Sequence, residues 1–274
     1  LAGKTYIHSA YRAFKISDPK PRDIHKASVR DRIVHRALYR KLYPFFDRRF
    51  VCDSYSCRLR KGTHRAMDRF RTFARIASVN NTRTCWVLKC DIRKFFANID
   101  HAILMDILGK YITDTEIISL LRNIIGSFNT QGKIGVGLPL GNLTSQLFVN
   151  IYMNEFDQFM KHNLREKRYI RYADDFIFLS SDRTHLATLI PKIAVFLRER
   201  LRLELHPDKL FIKTFASGVD FLGWVHFPDH RVLRTTTKKR MVRRLDGEPS
   251  DAVIASYRRL LSHGNTWKLS RRYL

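Results

Sequence analysis

The chain has 274 residues, 45% of them hydrophobic, which suits one large domain or a domain with a small appendage and excludes a disordered protein. No apolar run approaches the ~18–20 residues of a membrane span. Lys and Arg number 51 against 25 Asp and Glu, a formal net of +26, and that excess, spread through the chain rather than along one helix face, points to nucleic acid rather than an anionic membrane.

Tyr11 to Ser17 alternates apolar and polar residues and predicts a strand. Asp18-Pro19-Lys20-Pro21-Arg22 then turns the chain and displays two cations, as a solvated loop or as a triphosphate clamp. Ser28 is placed to cap a helix carrying Ile33, Val34, Ala37, Leu38, Leu42 and Tyr43, with Arg and Lys on its other face. Cys52 to Gly62 reads as a loop holding Tyr55, Arg58, Arg60 and Lys61. Thr63 is expected to cap a second helix with Ala66, Met67, Phe70 and Ala74 inward and Arg65, Arg69, Arg71 and Arg75 on its other sides. Given the net charge, these cationic faces suit a phosphate backbone better than plain solvated surface.

Trp86 to Asp91 predicts a buried strand ending in a carboxylate, a costly placement unless the charge is paired or ligated. Helices are expected at His101–Lys110 and Asp114–Ser127. The loop Gly135-Val136-Gly137-Leu138-Pro139-Leu140-Gly141 lets a nucleotide or base pair approach the backbone closely, and Asn142 or Thr144 starts a helix with Leu147, Phe148, Ile151, Tyr152, Phe156 and Met160 inward. Neither a P-loop nor a Rossmann glycine pattern is present.

Tyr172-Ala173-Asp174-Asp175 lies between two apolar runs and reads as strand, tight turn, strand. A helical stretch from Leu186 to Leu201, interrupted by Pro191, follows, then an alternating segment around His206-Pro207-Asp208-Lys209 and a strand with a tight turn at Val219–Trp224. From Arg234 the composition turns basic, with a helix near Ala252–Leu261, and suggests a small separate lobe. Cys52, Cys57, Cys85 and Cys90 are spaced too loosely for zinc and are expected as buried free thiols in a reducing cytoplasm; Cys85 and Cys90, five apart on one strand, face opposite sides.

Asp91, Asp174 and Asp175 all sit at the ends of apolar strands, and adjacent strands would cluster them. Three carboxylates without His or Cys are hard oxygen ligands suited to Mg²⁺ or Mn²⁺. Two such ions activate a 3′-hydroxyl and stabilise a leaving pyrophosphate, so with the basic surface the economical reading is template-directed nucleotidyl transfer.

Five ordered segments carry a resemblance. Tyr172-Ala173-Asp174-Asp175 resembles the Y-x-D-D box of reverse transcriptases, and Asp91-Ile92-Arg93-Lys94-Phe95-Phe96 resembles their other metal-binding box. Gly137 to Gln146 resembles the loop and helix start that contact template and nucleotide; His206-Pro207-Asp208-Lys209 and Phe221-Leu222-Gly223-Trp224 resemble the two downstream boxes. The G-x-x-x-S-Q form over Gly141 to Gln146 is most similar to the enzymes of diversity-generating retroelements, which are related to group II intron reverse transcriptases.

The resemblance implies an α+β right-hand polymerase: fingers and a palm of antiparallel sheet with helices over residues 1–228, and a short basic helical thumb over 229–274. It implies RNA-directed DNA synthesis of the error-prone kind used in mutagenic retrohoming. Asp91, Asp174, Asp175 and the Ile92 carbonyl would hold two Mg²⁺ ions, with Mn²⁺ as substitute. Lys20, Arg22, Arg58, Lys61, Phe96, Leu140, Gly141 and Gln146 would contact the nucleotide, Phe96 as the gate that excludes a 2′-hydroxyl. Phe221, Leu222, Gly223 and Trp224 would form the primer grip, and Lys209, Lys238, Lys239 and Arg240 would contact template and primer backbone. Implied partners are template RNA, the cDNA or primer, dNTPs and a small basic accessory protein, with no membrane; the setting is the cytoplasm of a bacterial host, chromosomal or phage-encoded. The alternatives are a defence-associated or group II intron-type reverse transcriptase and a non-catalytic RNA-binding scaffold, against which the intact aspartates argue.

Overall fold

The computed structural model describes residues 5–17 and 21–273. The strand expected near the N-terminus is β1 (Arg12–Ile16), and it pairs antiparallel with β2 (Arg22–Lys26), placing Ile16 opposite Arg22. The second strand was not expected, because Arg22-Asp23-Ile24-His25-Lys26 is polar; it forms as the return arm of a hairpin. Helix α1 (Val29–Asp47) starts where Ser28 caps it by accepting from the Asp31 amide. Its buried stripe is Val34, Leu38, Leu42 and Phe46, so Ile33 and Ala37, expected inward, face solvent. Two polar residues, Asp31 and His35, fill the rest of the stripe because the segment before β1 supplies partners. Tyr6 Oη donates to Asp31 at 2.9 Å, His8 Nε2 meets His35 Nε2 at 3.0 Å, and His35 Nδ1 meets Thr144 Oγ1 at 3.1 Å.

Helix α2 (Thr63–Ala77) is preceded by Gly62 at φ +99°, which takes the cap position expected of Thr63. The Thr63 hydroxyl lies 3.2 Å from the Tyr172 hydroxyl instead.

The central sheet comprises β3 (Trp86–Asp91), β4 (Tyr169–Tyr172), β5 (Asp175–Ser180) and β6 (Phe211–Thr214), in the order β4-β5-β3-β6 with every pair antiparallel. It is buried on both faces, so its strands are apolar throughout rather than alternating with polar residues. Leu88, Cys90, Phe176 and Phe178 face a core built with α1, α3 (His101–Gly109), α4 (Thr115–Gly126), α5 (Leu143–Gln158) and α6 (Arg183–Leu201). Val87, Ile177 and Leu179 face a second core built with α2. Cys85 and Cys90 fall on opposite faces, while Cys52 and Cys57, expected buried, are exposed in the loop before α2. Pro191 does not interrupt α6; it sits on the exposed side, where solvent is free to reach the carbonyl that loses its amide donor.

The C-terminal part is a sheet of β7 (Val219–Phe221), β8 (Trp224–His226) and β9 (Arg231–Leu233), followed by α7 (Thr235–Leu245), α8 (Asp251–Leu261) and α9 (Trp267–Tyr273). The expected boundary after Pro228 falls inside this sheet, between β8 and β9. Trp224, Leu233, Met241 and Leu261 share a small core with Met67 of α2, so the basic helices rest on both the sheet and α2. A Cβ at Gly264 would overlap the Trp224 ring, which explains the glycine between α8 and α9. No helix among the described residues is long and apolar enough to cross a membrane.

Candidate active site

Strands β4 and β5 form a hairpin whose register pairs Tyr172 with Asp175, leaving Ala173 and Asp174 as a two-residue turn. Ala173 adopts φ +57°, a left-handed conformation that such turns require. On the other side of β5, Asp91 pairs with Asp175. Directly opposed residues of an antiparallel pair point to the same face, with Cα atoms about 4.5–5.5 Å apart. The Ile92 amide donates to the Asp174 carbonyl at 3.2 Å, which ties the turn to the end of β3. The His206 amide donates to the Asp91 carbonyl at 2.7 Å, so the segment before β6 closes the other flank.

The three carboxylates repel one another, and lysines offset part of that repulsion. Lys209 Nζ lies 2.8 Å from Asp91 Oδ1. Lys89 Nζ lies 3.1 Å from Asp175 Oδ2 and donates to the Asp220 carbonyl at 2.8 Å. Asp175 Oδ1 is buried with no hydrogen-bond partner. Burial pushes the Asp175 carboxyl up to about 6 against the pull of Lys89, with Asp174 and Asp91 adding to the rise. Asp174 is raised as well, by burial first and then by Asp91, while Lys209 and Arg22 act to lower it. Arg22, at the start of β2, thus lies near enough for its charge to act on Asp174. Among the described residues no three His, Cys, Asp or Glu side chains are closed up around one point. The donor set nevertheless fits a hard dication: it is all oxygen, it carries one orphaned buried carboxylate atom, and ammonium groups already sit against two of its members.

Arg171 braces the hairpin from beneath. It is fully buried and forms a two-pronged ion pair with buried Asp157 of α5, Nε to Oδ1 at 2.8 Å and Nη2 to Oδ2 at 2.7 Å. Nη1 donates to the Ala173 carbonyl in the turn at 3.0 Å, and Nη2 donates to Ser54 Oγ at 3.1 Å. Tyr169 Oη adds a third bond to Asp157 at 2.6 Å. One guanidinium thus joins α5, the loop before α2 and the turn that bears Asp174. Sequence reasoning missed Arg171, Asp157 and Lys89. Lys89 left a signal: a cation inside an apolar strand, two residues from Asp91 and so on its face.

The reverse transcriptase (RNA-dependent DNA polymerase) family matches residues 16–226, most of the chain and all of this cluster. The chain belongs to that family. Its fold is the right-hand polymerase fold, and the family generally uses divalent metal ions. The chain is 27% identical to the Escherichia coli protein YkfC, over 92% of this chain and 73% of YkfC. It is 23% identical to the group II intron-encoded protein LtrA of Lactococcus lactis, over 82% of this chain and 47% of LtrA. Apo telomerase from Candida tropicalis matches with a TM-score of 0.61 at 14% identity, over 81% of this chain and 48% of the telomerase, a likeness of fold alone. The chain thus spans about half the length of LtrA and of that telomerase.

The remaining reverse transcriptase boxes fall in different surroundings. Phe96 and Leu140 line one cleft of about 570 Å³, together with Lys15, Asp23 and His25 of the β1–β2 hairpin. The Leu140 carbonyl accepts from the His25 amide at 3.0 Å. Gly141, at φ +102°, lies where a Cβ would come within 2.8 Å of Ile24 Cγ2, so the loop needs glycine to pass under β2. Gln146 is half-buried in the second turn of α5, away from that cleft. Lys20 lies outside the described residues.

Arg58, expected at the nucleotide, is instead a structural brace. Its side chain is 6% exposed; Nε bonds Asp47 Oδ1 at 2.7 Å, and its other nitrogens donate to the carbonyls of Asp47, Val51 and Ser54. Lys61 donates to the Cys52 carbonyl at 2.7 Å and lies over the Tyr55 ring. The Phe221 and Trp224 side chains are core, which leaves only the Leu222–Gly223 turn, at φ +53° and +88°, on view. Lys209, expected at the nucleic-acid backbone, is engaged with Asp91, whereas Lys238 and Lys239 are exposed on α7.

Proposed function

We propose that this chain is the catalytic part of an RNA-directed DNA polymerase that extends a primer with dNTPs on a template RNA. The register that sets Asp91 beside Asp175, with Asp174 tied to the end of β3, carries the reading. Asp91, Asp174 and Asp175, with the Ile92 carbonyl, would hold two Mg²⁺ ions, for which Mn²⁺ can substitute. When bound, the ions activate the primer 3′-hydroxyl and stabilise the leaving pyrophosphate. Lys209, against Asp91, and Lys89, against Asp175, offset part of the negative charge of the cluster that would hold the ions. Arg22, whose charge acts on Asp174, and Lys20 grip the triphosphate. Phe96 stacks beneath the sugar and rejects a 2′-hydroxyl. The helices from residue 229 on act as the thumb, with the Leu222–Gly223 turn against the primer and Lys238, Lys239 and Arg240 along its backbone.

Primer extension on an RNA template tests this. Wild type is expected to extend and Asp174→Asn to be inactive; equal extension by both would refute the assignment.

Within the family, our reading is the error-prone enzyme of a diversity-generating retroelement working with a small basic accessory protein. Leu140 supports it: a leucine cannot hydrogen-bond the nucleotide, which removes one polar check on geometry. Leu140→Gln is expected to lower misincorporation. The similarity to LtrA favours a second reading, a group II intron-type enzyme. Errors concentrated opposite template adenines and dependent on an accessory protein mark the first; uniform accuracy marks the second.

A further inference from the structure

Lys89 is a cation set in an apolar strand. It is 9% exposed, opposite Ile177 in the sheet, with Nζ 5.9 Å from the centre of the Phe221 ring. Burying an ammonium there is costly unless partners hold it. Its two acceptors belong to different sheets. Asp175 Oδ2, at 3.1 Å, is on β5 of the central sheet, and the Asp220 carbonyl, at 2.8 Å, is on β7 of the C-terminal sheet. One ammonium thus spans the gap between the carboxylate cluster and the strand that runs into the Leu222–Gly223 turn.

Asp220 carries the line further. Its carboxylate pairs with Nη2 of Arg234, and the Arg234 amide donates to the Gly223 carbonyl at 3.1 Å. Arg234 is the residue that precedes α7. The series Asp175, Lys89, Asp220, Arg234 therefore runs from the acid cluster, past the turn, to the first of the basic C-terminal helices.

This line differs from a brace that serves stability alone. In Arg171 every guanidinium nitrogen has a bond. Here an atom is left over at each end: Asp175 Oδ1 and Arg234 Nε are buried with no hydrogen-bond partner. Well-packed apolar residues often match or exceed the stability of a buried ion pair, so stability does not account for a lysine at position 89. What the lysine does fix is one distance, from an acid that would hold an ion to the turn on which a primer end would rest.

We propose that Lys89 is a positioning residue: it holds Asp175 at a set distance from β7, so that a primer 3′ end seated on the Leu222–Gly223 turn lies in register with the carboxylate cluster, and the Asp220–Arg234 pair ties the start of α7 to the same strand. This rests on the polymerase reading. A displacement of about 1 Å between reacting groups costs on the order of 100-fold in rate, so a single tie of this kind has a measurable effect.

The test uses the intact chain and an RNA template with a DNA primer carrying 2-aminopurine at its 3′ end. In Mg²⁺-free buffer, anisotropy reads binding of the duplex and 2-aminopurine fluorescence reads seating of the primer end. At saturating Mg²⁺, steady-state extension gives kcat. Lys89→Met is expected to keep the affinity for the duplex, lose the fluorescence change and lower kcat by about 10- to 100-fold. Lys89→Arg, which keeps donors for both acceptors, is expected to recover part of both signals. Arg234→Gln leaves Lys89 and Asp175 untouched and is expected to shift both signals in the same direction by a smaller factor. Melting curves identify any variant that does not fold; if Lys89→Met is one, Arg234→Gln carries the test. Wild-type kcat in Lys89→Met would overturn the proposal. So would a loss of kcat in Lys89→Met with the primer end seated as in wild type, or an Arg234→Gln variant that matches wild type in both signals. Failure of the polymerase reading looks different: wild type and Asp174→Asn would then extend the primer equally.

Discussion

Among the described residues no lysine is ion-paired with Asp174, unlike its two acidic neighbours, and its carboxyl is raised by burial and by Asp91. Replacing it with a neutral isostere removes a repulsive charge, so Asp174→Asn is expected to stabilise the metal-free protein by about 1 kcal/mol. Mg²⁺ should reverse the order: wild type gains melting temperature with added ion and the variant gains little. A melt series with and without Mg²⁺ decides it, and an identical Mg²⁺ response would count against the ligand role. Arg171 permits a separation of stability from chemistry. Arg171→Ala leaves Asp157 buried and unpaired and is expected to cost about 3–5 kcal/mol. Arg171→Lys keeps the charge but cannot also reach the Ala173 carbonyl. It should fold, lower kcat and raise the Mg²⁺ concentration needed for half-activity, with KM for primer unchanged.

At the scale of elements, the β1–β2 hairpin and the loop before α5 are coupled through one close approach. Gly141→Ala would strain a backbone at φ +102° and push against Ile24, with an expected cost of about 1–3 kcal/mol. Because Arg22 begins β2, the same change is expected to raise KM for dNTPs more than it lowers kcat; steady-state kinetics with varied dNTP would show the split. The elements most visible in the sequence were those whose burial is decided locally. The spans of β3, β5, α3 and α4 follow from apolar runs bounded by Asp or Gly, with Asp100 and Asp114 as caps. β2, β9 and α9 were not legible, since each is too short to show an apolar period and forms only because a partner is already in place. The stripe of α1 was misread at Ile33 and Ala37 for a related reason: Asp31 and His35 count as polar in a sequence but are buried by partners some 25 residues upstream in the segment before β1.

For the whole molecule, acid stability has a definite sign. Burial holds His35 and His226 down to about 4, so the unfolded chain binds their protons first. Stability they contribute is complete above about pH 6.5 and is lost as pH falls toward 4, by on the order of 2 kcal/mol per histidine. Asp175 works oppositely: its raised pKa favours the folded state at low pH, and that contribution fades as pH rises through about 6. The rise at Asp174 and the fall at His64 oppose each other, so with two histidines at about 4 against one carboxylate at about 6, urea midpoints are expected to drop between about pH 6.5 and 4.5, and less steeply in His35→Gln. The net charge of +26 predicts strong salt dependence of RNA binding: with about five phosphate contacts, affinity falls roughly 100-fold between about 50 and 200 mM salt.

The sequence by itself determined the ionic character of the partner, the apolar strands and the acidic residues that end them, because charge balance and hydrophobic period are properties of the chain alone. It also carried the ordered boxes by which the family is identified. Only the tertiary structure decided what stands beside those acids. The register of β3 against β5, the lysines brought in from β3 and from the turn before β6, and the buried Arg171–Asp157 pair all depend on contacts between residues far apart in the chain. The same holds for Arg58, whose guanidinium is a brace because three carbonyls and Asp47 happen to surround it. A cation's task is set by the acceptors that folding brings within reach, and no local pattern encodes those.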